Sequence, residues 1–430
     1  MAADADGNHE LDIDAMARKI EEKVSGLMPI SPLCSIFRIP ITQLRQNLNA
    51  YVPDGFSFGP FHHGKENLEH TEMIKAKYLR DLISRLSPAQ TRLMMIKRLT
   101  EAISKKQKEA RECYFGPIGM EEDEFVEVLV LDGCFIIELL RKHAYGVLRE
   151  ENDPIFTASF LLQLLWHDLI LIDNQIPWMV LDILFNLTLS SIDEKSLVQL
   201  AIDFFGNILS TKPTQIRPLP SNPSKHILDL LRNSLVLNFS MFENGDNQKM
   251  VSFGQEPMPS AKSLWDSGIR FKAGFSESIL DIRFSNGVLE IPTLLIQETT
   301  ETLFRNLIRL EQCCPNYRPI ITSYAVLFDS LMKTKDDMEI LSKSGVIYNW
   351  LNVDDATRLF NNLYVDTVKE IFYLQLTRVV NNYCEDWWRS YRRVIVRDYM
   401  HDPWTYTSVN VAIMALILTF VQTVFAIIKG

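Results

Sequence analysis

The sequence predicts a mainly α protein: a helical globular body with a small β-hairpin element and one C-terminal transmembrane helix. Apolar residues recur at helical spacing along most of the 430 residues. Asn286-Gly287 separates two apolar runs and supplies the positive φ that a tight hairpin turn requires. Val409 to Ile428 carries 20 residues without a charge, and a helix of that length, rising about 1.5 Å per residue, spans a bilayer core of about 30 Å.

A chain this long exceeds the size at which one core usually stops growing, so one large domain or two closely packed ones are expected. Residues 1–30 form an acidic N-terminal segment with an amphipathic helix, whose stripe of Ile13, Met16, Ala17, Ile20, Val24 and Leu27 is expected to pack on the body. Residues 31–210 form the helical N-terminal part. Its opening is broken into short extended pieces by Pro32, Pro40, Pro53 and Pro60 before helix resumes over Leu68 to Leu86. Glu124 to Leu148 and Ile155 to Leu189 are its most apolar stretches. Phe160 to Ile172 reads as a central core helix, because Gln163, His167 and Asp168 interrupt the apolar run and Pro177 follows soon after.

Residues 211–262 read as a proline-rich connection and loop, with Pro213, Pro218, Pro220 and Pro223 stiffening its start. Residues 263–404 hold the hairpin, with Ile279 to Phe284 and Val288 to Ile291 as its strands, and the helical C-terminal part. Residues 409–428 are the expected transmembrane helix, preceded by Trp404 and Tyr406 at interfacial depth. Arg389, Arg392, Arg393 and Arg397 precede it and only Lys429 and Gly430 follow, so the positive-inside rule places the body in the cytosol. The acidic N-terminus has no apolar leader. The expected placement is single-pass in the plasma membrane or an endomembrane, with the lipid bilayer as partner of the C-terminal helix.

The net charge of −10 opposes a nucleic-acid partner, which recruits basic surfaces. Six cysteines without zinc spacing read as reduced core thiols. The sequence carries no GxxxxGK[ST] phosphate loop, HExxH or kinase series. His62, His63 and His70 form the one histidine group worth weighing for a metal, but adjacent histidines in an extended segment point to opposite sides. Asp132, Glu138, Asp168 and Asp173, with Asn174 and Gln175, sit in apolar stretches. If they converged on one pocket they would suit acid/base work; the plainer reading is that each caps a helix end or bonds a backbone group. The basic run Lys97 to Arg111 reads as a solvated helix face. Catalytic, cofactor-binding and metal residues are therefore expected to be none.

Several blocks resemble one plant family in order along the chain. They are SIFRIP (Ser35 to Pro40), AYVPDGFSFGPFHHG (Ala50 to Gly64), VLDGCFIIELL (Val130 to Leu140), DLILIDNQIPWMVL (Asp168 to Leu181), LEIP (Leu289 to Pro292), NLIRLEQC (Asn306 to Cys313) and SYAVLFDSLMKTKDDMEIL (Ser323 to Leu341). Together they resemble the plant domain-of-unknown-function family numbered 247, also called uncharacterised protein family 0481. The resemblance implies a helical body, usually with one C-terminal membrane helix, and no assigned biochemical activity. Some grass members act as pollen determinants of self-incompatibility. The expected class is a protein-recognition or signalling component with an unidentified protein partner. The alternative is a membrane-bound enzyme using the buried carboxylates.

Overall fold

The computed structural model describes residues 12–25, 31–86, 92–209, 224–237, 257–276, 278–361, 363, 372–385 and 403–429. The chain opens with α1 (Ile13–Ser25), α2 (Ile41–Leu44), α3 (Glu72–Arg85), α4 (Arg92–Ser104), α5 (Gln107–Glu112) and α6 (Glu122–Ala144). The last is the axle of the N-terminal part, packing against α3, α4, α9 (Trp178–Leu187) and α10 (Leu197–Leu209). Its sequence favours a long helix end to end. Glu122, Asp123 and Glu124 in the first turn and Arg141, Lys142 and His143 in the last both complement the helix dipole. At Gly133 an added Cβ would lie 2.5 Å from Leu184 Cδ1, so the glycine lets α9 approach closely.

The expected helix over 160–172 is shorter than predicted. Helices α7 (Pro154–Thr157) and α8 (Ser159–Asp168) are followed by irregular but buried backbone through residue 177. Its polar groups are met by side chains rather than by helix bonds, as buried backbone requires. Phe56, Phe58, Phe135 and Tyr78 form one cluster of rings in the core.

Beyond α11 (Ile227–Leu237) and α12 (Ala261–Asp266), the β elements are richer than the sequence indicated. Asn286 and Gly287 take φ of 51° and 78°, so the turn is of the expected kind. The strands it joins are β2 (Arg283–Ser285) and β3 (Val288–Pro292), antiparallel with Ser285 opposite Val288; residues 279–282 are not strand. Strand β1 (Arg270–Gly274) adds in parallel on the other side of β3, and β4 (Leu294–Ile296) pairs in parallel with β5 (Ile347–Asn349). Helices α13 (Glu298–Cys313), α14 (Ile320–Leu331), α15 (Lys335–Lys343), α16 (Val353–Asn361) and α17 (Leu374–Glu385) complete the C-terminal part. Capping boxes open α13 (Gln297 with Thr300) and α15 (Thr334 with Asp337). Buried apolar residues from Ile36 to Val380 form one cluster across both parts.

Two expectations are corrected. The stripe of α1 does not pack on the body: Ile13, Met16, Ile20 and Val24 are all exposed. The C-terminal helix runs Pro403–Lys429, but among the described residues no helix is long and apolar enough to cross a membrane. The transmembrane helix expected over 409–428 is thereby withdrawn, along with the bilayer as partner and the single-pass membrane placement. The connection 211–223 and the arginines of 389–397 lie outside the described residues.

Candidate functional site

The buried carboxylates singled out in the sequence are anchors for one loop. Asp168 accepts backbone N–H bonds from Asp54 (2.8 Å), Gly55 (2.9 Å) and Phe56 (2.7 Å). Asn174 accepts from Phe58 N and donates to Phe56 O, while Asp132 accepts from Gly59 N. The segment 54–59 is thus bonded along its length, which non-repetitive buried backbone must be. Asp132 also takes the fully buried Lys75 ammonium at 2.6 Å. Burial pushes its carboxyl above the ordinary range, and Lys75 opposes that rise.

The remaining candidates are separate from one another. Glu138 is gripped by Arg85 through both oxygens. Asp173 lies 3.0 Å from His62 Nε2, in poor alignment for a hydrogen bond. Gln175 bonds the carbonyls of Leu169 and Leu171. The four carboxylates therefore do not line one open pocket. His63 is half-buried and His70 exposed, and neither joins His62 in a ligand cluster.

Among the described residues the one group at ligand distance is Asp54, His167 and Asp168. Its hydrogen bonds argue against a metal. His167 Nδ1 lies 2.9 Å from Asp168 Oδ1 and Nε2 lies 2.8 Å from the Asn49 carbonyl, both acceptors, so the ring fits best with a proton on each nitrogen. An imidazolium has no lone pair left to ligate. Burial disfavours this charge, but Asp168, Asp54 and the Asn49 carbonyl outweigh it, and the pKa of His167 is raised from 6.5. The cation ties the end of α8 to the 47–54 loop.

Asp54 and His167 line an open cleft of about 620 Å³, a size suited to a ligand side chain or a short segment. One wall is the 47–54 loop, held to α13 by Asn47 Nδ2 donating to Glu301 and by Asn306 Nδ2 donating to the Ala50 carbonyl. The other is the first turn of α13 with Trp350 and Leu351. Trp350 N donates to the Ile296 carbonyl at 2.9 Å, continuing the β4–β5 ladder, and Asn349 closes a turn on Leu351. The Trp350 backbone is thus fixed while its side chain is exposed, with the residue 65% accessible beside exposed Tyr348. Sequence reading missed this rim; its only local signal is the run Ile347-Tyr348-Asn349-Trp350, in which two aromatics share a strand face.

Fold and cleft define a helical body with an open groove lined by Asp54 and His167, whose ring is bonded to Asp168 and to the Asn49 carbonyl. The chain belongs to a family described as plant protein of unknown function, whose model matches residues 36–418. It is 27% identical to a UPF0481 protein of Arabidopsis thaliana over 92% of this chain and 87% of the relative. It is 20% identical to a putative UPF0481 protein of the same plant over 90% of this chain and 89% of that relative. No solved structure matches.

Proposed function

We propose that this plant protein is a recognition component that binds another protein at the cleft beside Trp350, and that it carries out no chemistry there. The single observation that supports the reading most is the exposed Trp350 ring on an immobilised backbone. Exposed aromatic anchors that are already in place bind with less loss of conformational freedom, and tryptophan is over-represented among the residues that dominate interface energetics. Support also comes from the carboxylates an enzyme would need, since Asp132, Glu138 and Asp168 are each occupied by a cation or by backbone N–H groups.

Affinity capture from plant extract, comparing the wild-type chain with the Tyr348→Ser/Trp350→Ser double variant, tests the proposal. A partner recovered reproducibly by the wild type and lost with the variant is the expected result. Identical recoveries from both proteins would overturn it.

A further inference from the structure

The same cleft carries information about what enters it. Its lining holds the carboxylates Asp54, Glu298 and Glu301, four side-chain amides and His167, with no lysine or arginine among them. Glu301 is already engaged by Asn47 and Arg305. Asp54 is engaged less closely: its half-exposed side chain pairs with His167 at 3.6 Å, and Asp168 shares that charge at 2.9 Å. Burial holds the Asp54 carboxyl above its ordinary pKa despite His167, and Asp168 adds to the rise. Glu298 is exposed at the start of α13. The positive end of that helix dipole faces the cleft but is covered by Glu298 and Glu301, which disfavours an anionic ligand.

Building on the recognition reading, we propose that the cleft receives an arginine side chain from a basic segment of the partner protein, its guanidinium lying on the Trp350 ring and facing Asp54 and Glu298. Arginine fits better than lysine because its flat, weakly hydrated guanidinium stacks on an aromatic face and presents five donors to carboxylate and amide oxygens. A second copy of this chain is a poor occupant, since its net charge of −10 repels another.

The test uses the full chain and fluorescein-labelled Gly-Ser-Arg-Arg-Ser-Gly, read by fluorescence polarisation. The controls are the same peptide with citrulline, which keeps the shape and loses the charge, and with lysine. Arginine is expected to bind at least tenfold tighter than citrulline and tighter than lysine. Trp350→Ala and the Asp54→Asn/Glu298→Gln double variant should each weaken it at least tenfold, with circular dichroism unchanged, and added salt should weaken it further. Equal binding of arginine and citrulline peptides, or indifference to both variants, overturns the assignment. Should the arginine peptide fail while the Trp350-dependent capture above persists, the arginine assignment falls and the recognition reading survives.

Discussion

The segment 54–59 meets the cleft at Asp54 and the rim 348–351 meets it at Trp350 and Leu351, and the two are built on opposite principles. In the first, polar backbone is buried and each group named above meets a side chain: three N–H groups on Asp168, one each on Asn174 and Asp132. In the second, the backbone is equally tied but large apolar side chains are left in solvent. Satisfied buried polar groups are expensive to disturb and do nothing further. Exposed aromatics on fixed backbone contribute little to folding and are available for binding. The contrast assigns scaffolding to the interior carboxylates and contact to the rim.

Substitutions in the two regions should therefore separate stability from binding. Asp168→Ala strips the acceptor from three backbone N–H groups, two of them buried, and leaves His167 with the more distant, half-exposed Asp54 as its carboxylate. We expect a loss of about 3 to 5 kcal/mol, measured by urea unfolding; a loss under about 1 kcal/mol would mean that the loop is held by something else. Gly287→Val, in the hairpin outside both regions, places a β-branched residue at φ 78° and drives its Cβ into the Tyr383 hydroxyl. A cost of about 1 to 3 kcal/mol is expected from the backbone alone, and an unchanged melting temperature would contradict this geometry.

His167 sharpens the comparison through pH. Its folded pKa is raised above the unfolded value near 6.5, so the imidazolium stabilises the fold fully below that value, and the contribution fades as pH rises through the folded pKa. His167→Gln should then cost about 1 kcal/mol at pH 5.5 and progressively less toward alkaline pH. A cost that grows with pH would show that the ring is held neutral.

The parts that sequence revealed are those fixed by local chemistry. The hairpin turn follows from Asn286 and Gly287 themselves, and α6 from its apolar run. What stayed hidden depends on distant pairing. Strand β4 finds β5 some 50 residues later, since Leu294 pairs Ile347, and three-residue strands carry too little periodicity to read. Asp132 was legible as a buried acid, but its partner Lys75 lies 57 residues away on α3. Trp350 was missed because an exposed tryptophan and a core one look alike in sequence. The stripe of α1 was misjudged for the converse reason, as amphipathic spacing does not say what covers the apolar face.

The smallest expected stability effect carries the most meaning. Trp350→Ala should change the unfolding free energy by no more than about 0.5 kcal/mol, as for surface positions away from packed features, while abolishing capture of the plant partner. Unfolding and capture measured on this one variant test the division of labour directly. A loss of several kcal/mol with capture intact would place Trp350 in the scaffold and contradict the account.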